Sequence, residues 1–491
     1  MKRTVAFLTT FLLLLYGLTW LADTLRAKGQ QLDFWPTLQA LPGFRPTAQQ
    51  LDPAPQLDQQ QQLALHQLDS LAALLDAQES VNYDSLRADS LANLVPTIPD
   101  GIPLIPLEIP GQAEAKLLQF FHRLANAKAQ GHTLRILHFG DSQIEGDRIS
   151  SFLRTRLQRE FGGAGVGLVG LDPQVYPPYG LKYEQSLGWT TLHMMPATKR
   201  EKDLQYGILG HVSILGQQHQ TPDTASCQAL LTLSRRWRAG RAMQFSKARF
   251  FARVERGDLQ VLASAGDSLL YQGLFPSDPT LTTFAFNVKH PIDTFRVDFK
   301  SSGCALLYGL SLENGPGVLL DNIPLRGSSG TDFMAMGPEL LPQMLQALRP
   351  SLVLLQFGAN VVPGKLDNYD YYQALLTKQL RYLQRLMPEA VLLVLGTSDM
   401  AEKVGTHFRS YPNMEMVSQA ERQAAQAASA IFWDSRQAMG GQNSIVAWVQ
   451  ANPPLATPDY VHFTPRGARY MAEMFYAALM QAYRQALPSH Q

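Results

Sequence analysis

The sequence predicts an α/β protein whose mostly parallel sheet is interrupted by an all-β insert. Short apolar runs alternate with helical patterns towards both ends of the globular part, which is typical of parallel strands covered by helices on both faces. Between about Tyr179 and Glu313 the pattern changes to period-two alternation with closely spaced turn residues, which predicts a β-sandwich. The 491 residues, 45% of them hydrophobic, suffice for two or more packed domains.

The net charge of the chain is close to zero. Lys and Arg number 42 against 41 Asp and Glu, which leaves a formal charge of +1. Because no net field attracts polyanions, nucleic acid is not expected as a partner. Only Cys227 and Cys304 are present, too few for a disulfide scaffold or a cysteine metal site. The sequence leaves a single disulfide and two unlinked thiols equally open.

The N-terminus predicts a membrane segment. Lys2 and Arg3 precede an uncharged run from Val5 to Ala22, which is about long enough to span a bilayer as a helix. Trp20 stands where a signal peptidase would prefer a small residue, which favours an uncleaved anchor over a removed signal peptide. The basic end is expected in the cytoplasm, and the chain after residue 22 on the far side of the membrane.

Residues 23–112 are predicted to form a stalk. Both ends, FRPTAQQLDPAPQ and NLVPTIPDGIPLIPLEIPG, are rich in Pro and suit an extended linker. Between them Leu68, Leu71 and Leu75 are at helical spacing, which suits a helix or a short coiled coil.

The remaining chain divides into an α/β domain in two pieces, 113–178 and 314–491, around a β-sandwich insert at 179–313. An amphipathic helix is predicted from Ala113, and the apolar run TLRILHF then ends at Gly140-Asp141-Ser142. A second helical pattern stops at Gly162, which completes a strand, turn and helix. Further apolar runs of strand length are GVLLDNIPL, SLVLLQF, AVLLVL and AIFW.

Four polar stretches are expected at one end of this sheet, because functional groups collect at the carboxyl ends of parallel strands. They are Gly140-Asp141-Ser142, Gly327 to Gly330 in LRGSSG, Gly358-Ala359-Asn360, and Asp459 with His462 in DYVHF. Thr464 and Pro465 suit the N-cap and the first position of the last helix, so His462 is expected just before that helix.

The order of these motifs resembles the SGNH/GDSL hydrolase superfamily, named after Ser, Gly, Asn and His in four sequence blocks. The resemblance covers the two pieces of the α/β domain and implies a flavodoxin-like three-layer sandwich. It implies Ser142 as the nucleophile, His462 as the general base and Asp459 as the residue that orients the imidazole. The oxyanion hole would comprise the backbone N–H groups of Ser142 and Gly330 and the side-chain amide of Asn360.

The residue types suit that chemistry. A serine hydroxyl is a weak nucleophile and needs a base within hydrogen-bond reach. A carboxylate three residues before His462 can bond one ring nitrogen and leave the other facing Ser142. Glycine at position 330 allows a backbone N–H to approach a substrate, and the Asn360 amide can donate to an oxyanion without adding charge.

Departures from the family pattern occur at three places. The literal Gly-Asp-Ser-Leu at 266–269 is flanked by strand patterns, so it predicts a hairpin turn rather than a second nucleophile. Gln143 replaces the usual Leu at a variable position, and Val361 follows Asn360 where many members have Asp.

No metal-ligand spacing is present, so no metal or cofactor is expected and His138 is expected to be packed.

The predicted export and stalk suit action on a wall or surface polymer. An all-β insert after the first strand and helix resembles bacterial O-acetylpeptidoglycan esterases, whose insert is like a carbohydrate-binding module. The resemblance implies an esterase on the bacterial inner membrane that faces the periplasm or cell exterior and removes O-acetyl groups from peptidoglycan or another glycan. Tyr183, Trp189, Trp237 and Tyr271 can stack on sugars, although a sandwich core is the commoner place for aromatic side chains.

Three alternatives stay open. A sugar hydroxyl in place of water would make the same triad an O-acetyltransferase. A catalytically inactive glycan-binding protein is disfavoured by the intact Ser142, Asp459 and His462, and a lipase by the lack of a long apolar lid segment. The acyl group, the glycan, the protein partners and the oligomeric state are not determined by the sequence.

Overall fold

The computed structural model describes residues 104–171, 178, 180–185, 188–201, 203–216, 227–235 and 245–487. The predicted membrane segment at 1–22 and the predicted stalk up to residue 103 lie outside these ranges. Within them no helix is long and apolar enough to cross a membrane.

The strands of this part of the chain are β1 (Thr133–Gly140), β2 (Ala164–Val169), β3 (Leu181–Gln185), β4 (Trp189–His193), β5 (His211–Gly216), β6 (Cys227–Arg235), β7 (Phe245–Ala265), β8 (Ser268–Ile292), β9 (Thr294–Ser301), β10 (Cys304–Asn314), β11 (Gly317–Pro324), β12 (Pro350–Gln356), β13 (Val391–Leu395), β14 (Ala401–Val404), β15 (His407–Ser410) and β16 (Ile431–Trp433). The α-helices are α1 (Gly111–Asn126), α2 (Ser150–Phe161), α3 (Leu340–Leu348), α4 (Asp370–Leu386), α5 (Met414–Ala427), α6 (Ser435–Met439), α7 (Ser444–Gln450) and α8 (Pro465–Ala486).

Five strands form a parallel sheet in the order β11, β1, β12, β13, β16. Numbered along the chain within this sheet, the order is 2-1-3-4-5, that of flavodoxin-like folds. These strands are the apolar runs noted in the sequence, and every residue of β12 is buried. Strands buried on both faces read as continuous apolar runs. The predicted parallel sheet is therefore confirmed.

The two faces of the parallel sheet carry separate apolar cores. Along β1, Leu134 and Ile136 belong to one core, whereas Leu137 and Phe139 belong to the other, because successive side chains of a strand point to opposite faces. Helices α1, α2, α6, α7 and α8 cover the first face, and α3, α4 and α5 cover the second. The domain consequently has the three layers expected.

An antiparallel sheet of nine strands in the described chain forms the β-rich region, in the order β3-β6-β9-β7-β10-β5-β4 with β2 on β10 and β8 on β7. Strand β7 pairs with β10 as far as Arg256 and with β9 from Leu259 onwards. Phe245 begins β7 and Phe295 lies level with its end, yet their ring centroids are 5.0 Å apart. A straight strand would separate these levels by about 65 Å. Strand β7 therefore bends sharply, and the two halves of the sheet enclose a core as a sandwich.

The observed limits of the β-rich region and of the α/β domain differ from those expected. Strand β2 pairs with β10 inside the antiparallel sheet, so the chain enters this sheet at Ala164, before residue 179. Its short run AGVGLV lacks an alternation that would distinguish it from a parallel strand. Glu108 exchanges two backbone hydrogen bonds with Phe432 of β16, so the end of the expected stalk pairs with the edge of the parallel sheet.

A buried ion cluster joins the two sheets. Arg135 of β1 donates to both carboxylate oxygens of Asp321 on β11, at 2.9 and 2.6 Å. The same guanidinium donates to Ser311 Oγ at 3.0 Å and to Glu313 Oε1 at 2.7 Å, both on β10. Arg249 of β7 also donates to Glu313, at 3.1 Å. Because β10 belongs to the antiparallel sheet, the cluster holds that sheet against the strand that leads to Ser142.

The second Gly-Asp-Ser sequence is a hairpin turn, as predicted. Gly266 and Asp267 connect β7 to β8, and Gly266 has a φ of +54°. That left-handed conformation suits glycine. Ser268 is the first residue of β8 and pairs with Ala265.

The two cysteines are unlinked. Cys227 of β6 and Cys304 of β10 are both free thiols, the first partly buried and the second buried. Of the two alternatives that the sequence leaves open, the structure contains the second.

Candidate active site

Three of the four polar stretches follow neighbouring strands of the parallel sheet. Gly140, at the end of β1, pairs with Pro324 of β11 on one side and with Gln356 of β12 on the other. The loops that leave these strand ends carry Ser142, the glycine-rich sequence after Pro324, and Asn360. Since parallel strands end at the same edge, the three loops lie side by side there.

Ser142 begins a 3₁₀ segment, Ser142–Asp147, whose backbone kinks at Glu145 and Gly146. A Cβ at Gly140 would lie 2.8 Å from the carbonyl oxygen of Gln356, so glycine allows the close approach of β12. The Asp141 carboxylate caps the turn by accepting the backbone N–H of Gln143 at 3.0 Å. The Gly-Asp-Ser sequence thus holds the serine at the edge of the sheet.

The imidazole of His462 reaches the Ser142 hydroxyl. The distance between Ser142 Oγ and His462 Nε2 is 2.8 Å. Thr464 caps α8 by accepting a backbone N–H of its first turn at 3.2 Å, and Pro465 is the first residue of the helix, both as predicted. The backbone N–H of Thr457 donates to the His462 carbonyl at 2.8 Å. The loop and the helix start therefore fix the position of the ring.

Asp459 lies against the other side of the imidazole. Its Oδ2 is 2.7 Å from His462 Nδ1, which leaves Nε2 as the acceptor for the Ser142 proton. Its Oδ1 accepts the backbone N–H groups of Val461 and His462, both at 3.0 Å, and the Thr457 hydroxyl at 2.6 Å. Burial opposes the charge, but the hydrogen bonds from Thr457 and His462 outweigh it and lower the pKa of Asp459 to about 2. The carboxylate is accordingly ionised at neutral pH.

Asn360 lies in the loop after β12 with its side chain exposed. One N–H of its amide donates to the Ser328 carbonyl at 2.9 Å, and the amide has a second N–H. This bond ties the Asn360 loop to the glycine-rich loop.

The backbone N–H of Gly330 is not free, in contrast to the expectation. It donates to Ser328 Oγ at 3.0 Å, within the same turn. Glycine is needed here because φ is +80° and a Cβ would lie 2.8 Å from the Phe357 ring. A serine side chain that bonds the backbone two residues later depends on the turn conformation. The Ser142 N–H, which makes no hydrogen bond within the described residues, and the Asn360 amide are the remaining expected oxyanion donors.

Gln143 contacts the histidine loop, which its position after Ser142 did not reveal. It is 2% exposed, and its Nε2 donates to the Val461 carbonyl at 2.5 Å and to Ser398 Oγ at 3.3 Å. Val461 precedes His462, so the Gln143 amide connects the nucleophile turn directly to the histidine loop. The only signal in the sequence was that Gln143 occupies the position after Ser142 where Leu is usual.

Two further carboxyl groups lie near His462. Burial raises the pKa of Asp141 to about 6, against the effect of two backbone N–H donors and of the His462 charge. Burial also raises the pKa of Glu145, opposed by the charge of Arg326, whose Nε is 3.5 Å from Glu145 Oε1. Both carboxyl groups interact electrostatically with the His462 imidazole.

A β-hairpin that the sequence did not predict supports the histidine loop. It comprises β14 and β15, strands of four residues each, too short for a clear alternation. The N–H of Ala401 donates to the Tyr460 carbonyl at 3.1 Å. The Phe408 ring stacks on the Tyr460 ring with centroids 3.7 Å apart and planes 10° apart. The hairpin thus packs directly on the residue between Asp459 and Val461.

Three of the four aromatic candidates for sugar stacking pack within the β-rich region. Trp189 and Tyr271 each contact a phenylalanine ring, with centroids 5.9 and 5.8 Å apart. Burial raises the pKa of Tyr183 far above its ordinary value. Trp237 lies outside the described residues.

His138 is packed, as expected. Its Nδ1 is 2.8 Å from Ser150 Oγ and its Nε2 is 3.1 Å from Gln356 Oε1. Burial lowers the pKa of His138 to about 4, so the ring is neutral. Among the described residues no group of three or more His, Cys, Asp or Glu is arranged to hold a metal ion.

Ser142, His462 and Asp459 have the geometry in which a serine is activated for attack on an acyl carbon. Together with the 2-1-3-4-5 parallel sheet, this arrangement defines an α/β protein with a Ser-His-Asp constellation at the carboxyl edge of its strands.

The fold is shared with one solved esterase. A peptidoglycan O-acetylesterase superposes with a TM-score of 0.62 at 20% sequence identity, covering 77% of this chain and 99% of that chain. A family two carbohydrate esterase from Cellvibrio japonicus matches with a TM-score of 0.23 at 11% identity, covering 61% of this chain and 99% of that chain. An acetylxylan esterase from Geobacillus stearothermophilus matches with a TM-score of 0.26 at 17% identity, covering 33% of this chain and 73% of that chain. No protein-family model and no curated protein sequence matches the chain. The first likeness confirms the fold that the motifs of the SGNH hydrolases imply.

Proposed function

We propose that this protein is a serine esterase of the cell envelope that removes O-acetyl groups from peptidoglycan or another surface glycan. The observation that carries the proposal is the hydrogen-bonded series Ser142, His462 and Asp459, with distances of 2.8 and 2.7 Å. An ionised Asp459 holds the imidazole in the tautomer that accepts the serine proton.

In the first step, Ser142 Oγ attacks the acetyl carbonyl carbon while its proton passes to His462 Nε2. The carbonyl oxygen becomes an oxyanion, for which the Ser142 N–H and the second N–H of Asn360 are the proposed donors. Removing one such donor typically costs two to three orders of magnitude in rate. Collapse of the intermediate breaks the bond between the acetyl carbon and the sugar oxygen, and His462 returns the proton to that oxygen.

In the second step, water attacks the acetyl group on Ser142. His462 Nε2 accepts a proton from the water, and the second tetrahedral intermediate releases acetate as the same proton returns to Ser142 Oγ. The Asp459 carboxylate stabilises the imidazolium in both steps without becoming protonated itself.

The choice of an acetylated glycan rests on two independent lines. The fold likeness to a peptidoglycan O-acetylesterase covers 77% of this chain and 99% of that chain. The apolar run from Val5 to Ala22, followed by a stalk, would hold the domain at the outer face of the inner membrane, next to the wall.

The proposal is tested by incubating the full chain, in detergent, with O-acetylated peptidoglycan and with the same polymer after chemical de-O-acetylation. Wild-type protein should release acetate from the first polymer only, and Ser142→Ala should release none above the buffer blank. If label from an acetyl donor appears on an added glycan instead of in free acetate, the protein is an O-acetyltransferase. If Ser142→Ala leaves acetate release unchanged, the proposed mechanism is wrong.

A further inference from the structure

A buried carboxyl group that takes no part in the triad lies beneath the loops of the site. Glu421 of α5 is 1% exposed. Its Oε1 is 2.8 Å from the hydroxyl oxygen of Thr397, in the loop after β13, and 3.3 Å from that of Tyr372 on α4. Its Oε2 accepts the backbone N–H of Thr397 at 2.7 Å.

Each of the two hydroxyl groups beside Glu421 lies within hydrogen-bond distance of two acceptors. The Thr397 hydroxyl is 3.0 Å from the Phe357 carbonyl, and the Tyr372 hydroxyl is 3.0 Å from the Ser329 carbonyl, while both are also within reach of Glu421 Oε1. A hydroxyl has a single hydrogen, so an ionised Oε1 competes with the two carbonyls for these hydrogens. A protonated Oε1 supplies a hydrogen of its own and leaves the hydroxyl hydrogens to the carbonyls.

The surroundings of Glu421 agree with a neutral carboxyl. Burial raises its pKa to about 8 against the hydrogen bonds from Thr397 and Tyr372, which lower it, and the nearby Asp141 adds to the rise. The titratable groups that face it are Tyr372 from α4 and Asp141 from the end of β1. The neighbouring cation on its own helix, Arg422, is paired with Glu108 and Asp434.

The two carbonyl groups held by this network belong to both loops that flank Ser142. Phe357 directly precedes Gly358, and Ser329 directly precedes Gly330. A Cβ at Gly358 would lie 1.6 Å from Thr397 Oγ1, so the Asn360 loop rests directly on the network.

We propose that Glu421 is a positioning residue whose protonated carboxyl holds the Asn360 loop and the glycine-rich loop in register beside Ser142. The inference rests on the proposed esterase function for its kinetic consequences. An ionised Oε1 would accept a hydrogen from Thr397 or Tyr372. The carbonyl of Phe357 or Ser329 would then lose its donor, and the corresponding loop its support.

The substitution Glu421→Gln separates a neutral from a charged role. A glutamine amide can donate from the position of Oε1 to the hydroxyl oxygens and accept the Thr397 N–H with its oxygen, and it does not ionise. Glu421→Ala removes the whole contact. Glu473→Gln is the matched control, because Glu473 of α8 is also buried with a raised pKa but lies near Arg156, away from Ser142.

The kinetic test measures the pH dependence of hydrolysis of 4-methylumbelliferyl acetate by the full chain in detergent. For wild type and for Glu473→Gln, kcat should fall about fivefold above pH 8, the effect of one lost hydrogen bond. Glu421→Gln should retain its pH 7 rate at pH 9.5. Glu421→Ala should have a lower kcat at every pH with KM little changed, because the oxyanion donors act in the transition state.

The pH dependence of unfolding is a second readout that does not depend on esterase activity. The pKa of Glu421 is higher in the fold than its ordinary 4.5, so its stabilising effect is complete below 4.5 and is lost as the pH rises to about 8. The urea midpoint of wild type should therefore fall relative to Glu421→Gln between pH 5 and pH 8.

The two readouts distinguish failure of this inference from failure of the proposed function. If wild type cleaves no ester but its urea midpoint falls relative to that of Glu421→Gln, the proposed esterase function is wrong and the inference of a neutral Glu421 carboxyl is supported. If the midpoints run parallel from pH 5 to pH 8, or if Glu421→Gln is as slow as Glu421→Ala at pH 7, a protonated positioning role for Glu421 is overturned.

Discussion

His462 Nε2 lies 2.8 Å from Ser142 Oγ although 320 positions of sequence separate the two residues. Ser142 follows the first strand of the parallel sheet, and His462 precedes the last helix. The β-rich region, which has nine strands in the described part of the chain, lies between them in the sequence without separating them in space. The account of function depends on this contact.

Asp459→Asn should lower kcat by about four orders of magnitude, the loss that follows when an amide imposes the wrong imidazole tautomer. The Asp459 carboxylate accepts from His462 Nδ1 at 2.7 Å, whereas an asparagine can present an N–H there instead. The measurement is the steady-state hydrolysis of an acetyl ester, with the exposed Asp367→Asn as the control. A variant that keeps more than a tenth of the wild-type kcat would show that Asp459 does not orient the ring.

Gln143→Leu should lower kcat about tenfold while leaving the fold intact, because it leaves the partly buried Val461 carbonyl without its donor. Gln143 Oε1 has no partner within the described residues, so the loss is assigned to Nε2. Near-ultraviolet circular dichroism checks the fold, and Gln143→Glu checks whether an acceptor in place of the amide is equally harmful. Unchanged kcat in both variants would remove Gln143 from the site.

Asn360→Ala should lower kcat about a hundredfold with little change in KM, as expected for an oxyanion donor. Ser328→Ala is the informative comparison. It releases the Gly330 N–H from Ser328 Oγ without removing a proposed donor, so its kcat should stay within a few-fold of wild type. A large loss in Ser328→Ala, with Asn360→Ala near wild type, would mean that the glycine-rich loop rather than Asn360 supports the oxyanion.

Arg135→Leu should reduce the free energy of unfolding by about 3–5 kcal/mol, since it leaves the buried Asp321 carboxylate unpaired. Urea unfolding at pH 7 measures the change. The exposed pair of Arg296 and Asp298 is the matched control, and Arg296→Ala should cost at most about 1 kcal/mol. Equal effects of the two substitutions would show that the ion cluster does not hold the sheets together.

Much of the site was predictable because several of its residues follow strands, and the apolar runs of these strands indicate that they are buried. The run TLRILHF led to Ser142, and the helix start at Thr464 and Pro465 marked His462. Both signals are local in sequence. The rule that parallel strands end at one edge predicts that the loops of Ser142, Gly330 and Asn360 lie together. His462 lies between α7 and α8, so its approach to Ser142 was expected from the resemblance to the SGNH hydrolases rather than from that rule.

The remaining features depend on contacts between segments far apart in sequence. Glu421 occurs in a polar helical stretch, QAERQAAQA, where its burial is not apparent. The Gly330 N–H donates to the Ser328 hydroxyl oxygen, a bond that depends on the conformation of that turn. The Gln143 amide donates to a carbonyl 318 positions away in the sequence. The pairing of β2 with β10 likewise follows from tertiary context, since β2 is apolar in either sheet.

The most direct test of the nucleophile is labelling of the full chain with a fluorophosphonate, followed by peptide mapping. The account predicts a single adduct on Ser142, abolished in His462→Ala and unchanged in Ser268→Ala. An adduct on Ser268, or ester hydrolysis that continues with Ser142 unlabelled, would contradict it.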